Sequence, residues 1–166
     1  MITPAYARTM AAYNAEMNRR VYAAAGRLGE AARRAERGAF FGSIHATLSH
    51  LLWGDRTWMS RFAGWDRPSV GIAGSTALYG DFAALSAARA AEDARLEAWA
   101  AGLTDAWLAG DLTWFSGAVQ RELTRPRALL VVHMFNHQTH HRGQVHAMLT
   151  AAGERTGDTD LPFILP

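Results

Sequence analysis

The sequence predicts an all-α fold, a bundle of four long helices. Four long segments repeat apolar residues at steps of three and four, which is the spacing of one buried helix face. Polar, glycine-containing stretches join them, and one of these stretches is too long for a tight helical hairpin. A chain of 166 residues with 49% hydrophobic residues can bury one sizeable core, so residues 1–166 are predicted to form a single domain.

The first helix is predicted over residues 4–28. Pro4 suits its opening turn, and apolar residues follow at helical steps as far as residue 28. Tyr13 belongs to this apolar face, so the adjacent Asn14 is expected to point elsewhere. A polar connection over residues 29–42 follows, with room for one helical turn.

A long crossover is predicted between the second and third helices. Ser43 is a good N-cap for a second helix that ends near Phe62, and Asp81 is one for a third helix that ends near Ala101. Residues 63–80 between them contain proline, glycine and serine and are expected to have little regular structure. At this length the segment is expected to cross the bundle rather than form a tight turn.

The fourth helix is expected to follow a small hairpin. Two short runs of alternating residues around Ser116 and Gly117 predict its strands. Thr124 and Pro126 are then expected to open the helix, and Gly153 to close it. The apolar tail that follows is expected to pack against the bundle or against a second subunit.

Five of the seven histidines lie in the predicted fourth helix, and two of them interrupt its apolar stripe. His137 and His141 are four residues apart, so their rings can face one point in space. A buried imidazole without a partner costs about 1–3 kcal/mol for each unsatisfied nitrogen. Two interpretations therefore fit: core histidines bonded to neighbouring side chains, or two ligands of a divalent metal.

Two polar residues of the predicted second helix need partners as well. Asp55 interrupts the apolar face, and an unpaired buried carboxylate is costly, so it is expected to pair with an arginine such as Arg142 or to hold a histidine. His50 lies about 140° from Asp55 on the helical wheel. Periodicity alone therefore leaves His50 as either a ligand or a partly exposed ring.

Composition narrows the classes of function. The absence of cysteine excludes disulfides, thiolate metal ligands and a cysteine nucleophile. All 17 basic residues are arginines scattered along a chain of net charge +2, which argues against a nucleic-acid partner. No apolar run approaches the ~18 residues of a membrane span, and no basic leader segment opens the sequence. A cytoplasmic protein with no membrane partner is expected.

Two motifs resemble the DinB family. The first, GSIHATLSHLLWGDRTW, covers residues 42–58, and the second, NHQTHHRGQ, covers residues 136–144. The resemblance extends over nearly the whole chain, including residues 13–14 and 160–162. It implies a four-helix bundle of up-down-down-up topology, a homodimer and a divalent metal held by three histidines. The matching positions in this sequence are His50, His137 and His141.

Three neutral imidazoles leave a coordination position open, which is the pattern of a catalytic rather than a structural site. Zinc is the first expectation, while nickel, iron and manganese accept the same ligand type. Around the ligands, Gln144, Asp55 and His140 are expected to orient the rings or to contact a substrate.

Three functions are compatible with such a site. The resemblance favours a metal-dependent enzyme, since relatives transfer or isomerise small molecules with a low-molecular-weight thiol, which would supply the nucleophile. The first alternative is a metal-dependent hydrolase, although Gln138 follows His137 where a His-Glu-x-x-His motif has glutamate. The second is a metal-binding stress-response protein without catalysis. The substrate of either enzyme is expected to be a small molecule.

Overall fold

The computed structural model describes residues 1–117 and 119–164, and it is mostly helical. Most of the chain lies in the long helices α1 (Pro4–Arg27), α3 (Ile44–Phe62), α4 (Phe82–Ala101) and α6 (Arg127–Ala151). Shorter elements are α2 (Glu30–Arg34), a 3-10 helix (Ile72–Ala77), α5 (Asp105–Ala109), α7 (Leu161–Ile164) and the strands β1 (Asp111–Ser116) and β2 (Arg121–Pro126). Within the described residues, no helix is both long enough and apolar enough to cross a membrane.

Short polar side chains cap three of the four long helices, whereas α6 begins after Pro126 without a side-chain cap. Ser43 Oγ accepts a hydrogen bond from the Ala46 N–H, and an Asp81 carboxylate oxygen accepts one from the Ala84 N–H. Both residues are therefore the N-caps that the sequence predicts. Thr3 caps α1 in the same way. Each cap satisfies one of the backbone N–H groups that the first turn of a helix leaves unpaired.

The predicted hairpin is present as an antiparallel pair of β1 and β2. Thr124 lies in β2 opposite Thr113, and their hydroxyls are 2.7 Å apart. The expectation that Thr124 opens the fourth helix is therefore wrong, because α6 begins at Arg127. Pro126 accounts for the difference, since a residue that precedes proline, here Arg125, is disfavoured in the helical region.

The crossover between α3 and α4 is more regular than expected, because a 3-10 helix lies within it. Ser75 of this helix is fully buried, and its carbonyl accepts a hydrogen bond from Ser49 Oγ at 2.9 Å. Earlier in the crossover, the Val70 carbonyl accepts one from Trp53 Nε1 at 2.8 Å. Side chains of α3 therefore hold the crossover along that helix.

The long helices share an apolar interior. α1 packs against α4 and α6, and α3 packs against α6. One cluster of buried side chains includes Met59, Met134 and Phe135, and a second includes Leu48 and Val145. Along α6 the two clusters lie on either side of the residues 137–141, so the histidines lie between two apolar regions.

Buried polar residues depart from the predicted apolar faces at two places. Asn14 is as buried as Tyr13, at 2% and 9% exposure, so the expectation that only Tyr13 faces inward is wrong. Because α4 and α6 both cover α1, its buried face is wider than one stripe. The alanine-rich middle of α4 likewise buries charged side chains, namely Arg89, Glu92 and Asp93.

The tail after α6 runs back along α1. The Tyr13 hydroxyl donates a hydrogen bond of 2.6 Å to the Thr159 carbonyl, which fastens the tail to that helix. Phe163 of α7 is nevertheless 77% exposed, so its ring is not packed into the interior. The last two residues of the predicted apolar terminus, Leu165 and Pro166, lie outside the described residues.

Candidate metal centre

Two packed helices bring three histidines together. His50 lies near the middle of α3, while His137 and His141 lie one turn apart on α6. One ring nitrogen from each lies within 4.8 Å of the others. The Nε2 atoms of His50 and His137 are 3.1 Å apart. The structure thus brings His50, which only the family resemblance indicates, into one cluster with His137 and His141, which the sequence spacing indicates.

Hydrogen bonds at Nδ1 fix the orientation of two of the three rings. His50 Nδ1 is 2.9 Å from Ser75 Oγ, and His141 Nδ1 is 2.8 Å from Gln144 Oε1. Each contact occupies Nδ1 and leaves Nε2 for the cluster, as is usual for metal-binding histidines. His137 Nδ1 is buried and has no hydrogen-bond partner among the described residues.

The three imidazoles are neutral at physiological pH. Burial lowers the pKa of His50 to about 4, and the neighbouring His141 adds to the effect. Burial and the surrounding histidines lower the pKa of His137 to about 3. The pKa of His141 is also lowered by burial, although its hydrogen bond with Gln144 opposes the shift. Neutral imidazole is the form that binds a metal ion, so these rings do not need to lose a proton first.

The cluster fits a divalent metal in spacing and in chemistry. Two nitrogens bound to one tetrahedral zinc at about 2.0–2.1 Å would lie roughly 3.3 Å apart. The separation of 3.1 Å between His50 Nε2 and His137 Nε2 is close to this value. Imidazole ligands suit zinc, nickel and iron, and three of them leave room for a further ligand.

Gly54 makes room for His137. A Cβ atom at position 54 would lie 2.9 Å from His137 Cε1 and 3.3 Å from its Nδ1, which is closer than van der Waals contact. Gly54 is on α3, one turn after His50, so the absence of a side chain there lets the His137 ring approach α3. The spacing of apolar residues gives no signal for Gly54, although a glycine inside a predicted helix is a cue to close packing.

A cavity of about 790 Å³ opens on the three histidines. Its volume lies within the range of ligand-binding pockets. Six of the described residues that line it are phenylalanine or tryptophan, and they come from the connection before α3, from α3 and from the hairpin: Phe40, Phe41, Trp53, Trp58, Trp114 and Phe115. No carboxylate is found among the described residues that line it. The open side of the cluster therefore faces a largely apolar space.

Asp55 lies behind the cluster rather than in it. The arginine that pairs with it is Arg89 of α4, at 2.5 Å, and not Arg142 as expected. Gln138 Nε2 also donates a hydrogen bond of 2.8 Å to Asp55. Arg142 instead places its guanidinium 5.4 Å from the centre of the Tyr13 ring. No histidine among the described residues bonds to Asp55, so the alternative that it holds one is also wrong.

The other polar residues near the cluster differ in their contacts. Gln144 reaches His141 through its oxygen, and its Nε2 is 3.3 Å from His140 Nε2. His140 is exposed and therefore touches the cluster only from outside. Gln138, which replaces the glutamate of a His-Glu-x-x-His motif, is 1% exposed and joins α6 to Asp55. Gln138 lies between His137 and His141 in the sequence but outside the apolar stripe of the helix, so the spacing of apolar residues does not predict its burial.

A comparison with known protein families gives a match over nearly the whole chain. A model of the DinB family matches residues 1–165. No curated protein and no solved structure matches the chain. The family match covers α3 and α6, which carry the three clustered histidines, as well as the hairpin between α5 and α6. The chain therefore belongs to the DinB family.

Proposed function

We propose that this protein is a metal-dependent enzyme in which His50, His137 and His141 hold a divalent ion. The observation that carries the proposal is the convergence of three neutral rings, with one nitrogen from each within 4.8 Å of the others, at the side of a large cavity. Zinc is the first choice for three imidazoles, and nickel, iron and manganese are the alternatives.

The chain's own residues have separable tasks in this proposal. Ser75 and Gln144 fix the orientation of two rings, and the aromatic side chains of the cavity keep bulk water away from the open side. A divalent ion, when bound, would supply Lewis acidity that lowers the pKa of a coordinated thiol or water. Water exclusion strengthens electrostatic effects at such a site.

A reaction that uses a low-molecular-weight thiol fits the cavity better than hydrolysis. Hydrolysis needs a general base near the reacting water, and the described lining of the cavity offers no carboxylate for this role, only the imidazole of His133 besides the three proposed ligands. Asp55 is already engaged by Arg89 and Gln138. A thiol, by contrast, brings its own nucleophile to a chain that has no cysteine. We therefore favour transfer to, or isomerisation through, a small thiol.

Metal content tests the first part of the proposal. Elemental mass spectrometry on untagged protein is expected to find about one equivalent of a single metal, which the His137→Ala variant loses. His146 is a matched control, because it lies on the same helix but bonds to Thr156 outside the cluster. Metal loss in His137→Ala but not in His146→Ala supports the site. The absence of metal from the wild-type protein after reconstitution would overturn it.

Thiol binding tests the second part. Protein loaded with Co²⁺ is titrated with glutathione and with free cysteine, and sulfur-to-cobalt charge-transfer absorption is recorded. We expect a new near-ultraviolet band that saturates and that is absent from His137→Ala. If no small thiol produces the band while the metal stays bound, the thiol reaction is wrong and the metal site stands.

The non-catalytic alternative makes a different prediction. A protein that uses the ion only for stability or sensing would melt higher with metal yet show no binding of thiol or small molecule.

The family resemblance also leads us to propose an up-down-down-up bundle and a homodimer. Sedimentation equilibrium of the metal-loaded protein tests the dimer.

A further inference from the structure

The cavity over the histidines carries unneutralised positive charge. Arg61, at the end of α3, lines it together with Arg67 from the crossover. Neither arginine has a carboxylate within 4.0 Å among residues 1–117 and 119–164. A cavity with cationic groups and no anionic partner attracts anions, and its apolar surroundings strengthen the attraction.

Arg61 is positioned by aromatic rings rather than by an ion pair. Its guanidinium carbon lies 4.6 Å from the centre of the Trp58 ring and 5.6 Å from that of Trp114. These contacts leave the N–H groups of the guanidinium free of acidic partners among the described residues. Burial, together with Arg67, lowers the pKa of Arg61, which is the expected effect of holding an uncompensated charge there. The fork of a guanidinium is suited to a carboxylate.

The cation and the histidine cluster lie at different places along the cavity. Arg61 follows His50 by eleven residues on α3, so their Cα atoms are about 16 Å apart along the helix axis. The Arg61 guanidinium lies against the ring of Trp58, three residues nearer to His50, so the span that a ligand must cover is shorter than this. Trp58 and Trp53 lie between them on the same helix, and both line the cavity. Flat apolar groups bind well against such rings. A ligand that reaches from Arg61 to the histidines therefore needs an extended apolar body.

We propose that the site takes an elongated aromatic carboxylate, with its carboxylate on Arg61, its apolar body against Trp58 and Trp53, and its other end at the histidines. This inference rests on the proposed function only for the assignment of the reacting end. The carboxylate site itself uses no metal ligand, so it exists whether or not the histidines bind an ion.

Calorimetric titration with a matched pair of probes tests the proposal. 4-Phenylbutanoate and 4-phenylbutanamide have the same apolar body and differ in charge. The wild-type protein is expected to bind the acid at least tenfold more tightly than the amide, with and without metal. Acetate, which lacks the apolar body, is expected to bind at least tenfold more weakly than 4-phenylbutanoate. Equal binding of the acid and the amide, or equal binding of acetate, would overturn the proposal.

Variants assign the preference to one residue. Arg61→Gln removes the charge and is expected to bind the acid no better than the amide, while Arg61→Lys keeps part of the preference. Arg125→Gln is the control, because Arg125 lies on β2, is exposed and does not line the cavity. Near-ultraviolet circular dichroism checks that each variant keeps its tertiary packing. A preference that survives in Arg61→Gln would overturn the assignment.

The outcomes also separate this inference from the metal proposal. A preference for the acid in protein that binds no metal would leave the carboxylate site standing and remove the metal centre. Bound metal without a preference for the acid over the amide would leave the metal centre standing and remove the carboxylate site. A preference that appears only after metal is added would place the carboxylate at the histidines instead of at Arg61, and would therefore overturn the inference.

Discussion

Gly54 of α3 lies directly against the His137 ring of α6. Replacing Gly54 by alanine would place a Cβ atom 2.9 Å from His137 Cε1, so the ring must shift. Alanine favours a helix over glycine by up to about 1 kcal/mol, so the fold is expected to persist. We predict that Gly54→Ala weakens metal binding at least tenfold with little loss of thermal stability, measured by competition with a chelating indicator and by thermal unfolding.

Gly143→Ala is the matched control for this substitution. Gly143 is exposed on α6, and a Cβ atom there would meet no other atom within 4 Å. The variant is expected to gain slightly in stability and to keep the affinity of the wild-type protein for metal. If both alanine variants bind metal equally well, the close approach of Gly54 to His137 is not needed for the site.

Protonation of the buried histidines should govern the stability of metal-free protein in mild acid. The pKa values of His50 and His137 fall from an ordinary 6.5 to about 4 and about 3 on folding. Between pH 6.5 and pH 4 the unfolded chain therefore binds protons that the folded chain does not, and stability falls as the pH is lowered. We predict a loss of roughly 1 kcal/mol for each ring between pH 7 and pH 5, after allowance for solvent screening.

The measurement is urea unfolding in the presence of a metal chelator at both pH values. His50→Gln, which cannot titrate, is expected to lose about 1 kcal/mol less than the wild-type protein over the same interval. The comparison with a variant is needed because burial raises the pKa of Asp93 to about 6, and this shift acts in the opposite direction. Identical losses in the two proteins would contradict the assignment.

At the scale of secondary-structure elements, a buried ion pair joins α3 to α4. Arg89 is 2% exposed and contacts Asp55 at 2.5 Å and Asp93 at 2.9 Å. Removing one partner of such a group leaves a buried charge without compensation, which costs about 3–5 kcal/mol. We predict that Arg89→Met lowers the free energy of unfolding by this amount, as measured by denaturant unfolding with metal present.

Arg95→Met on the same helix provides the comparison. Its side chain is 52% exposed, and its nearest carboxylate oxygen, on Glu92, is 3.8 Å away. An exposed pair of this kind contributes about 0–1 kcal/mol, so the variant is expected to remain close to wild type. If Arg89→Met costs no more than Arg95→Met, the buried pair does not hold α3 against α4.

The elements themselves were largely predictable, since the spacing of apolar residues and the N-cap residues indicate the long helices, even though α4 buries charged side chains in its middle. The partners across helices were not. Asp55 and Arg89 are 34 residues apart, and spacing within one helix does not indicate which residue of another helix faces it. His50 was ambiguous for the same reason, because its partners lie outside α3: Ser75 in the crossover, His137 on α6 and Phe41 before α3. Only the family resemblance brought it into the cluster.

For the whole molecule, metal binding should be linked to folding. The three histidines come from α3 and α6, so an ion held by all of them cannot stay fully coordinated once these helices separate. Free metal at 100 times its dissociation constant adds about 2.7 kcal/mol to the free energy of unfolding. For a chain of this length that corresponds to an increase in Tm of about 5–10 °C.

Differential scanning calorimetry with and without zinc checks this prediction, and His137→Ala is expected to show a much smaller shift. Equal melting temperatures for metal-free and metal-loaded wild-type protein would contradict it, because a ligand that binds only the folded state must raise Tm. A rise in Tm with metal, together with no charge-transfer band in the thiol titration, would mean that the ion serves stability alone.

The cavity has a consequence for how proteins of this design diversify. Its three histidines stand on long helices that the core holds rigidly, whereas much of its rim comes from the crossover and from the hairpin, including Val70, Ile72 and Phe115. Insertions or substitutions in those two connections would reshape the entrance and leave the three histidine rings undisturbed. The shape of the entrance and the position of the histidine cluster are thus largely encoded in separate stretches of sequence, so the entrance can change while the histidines keep their arrangement.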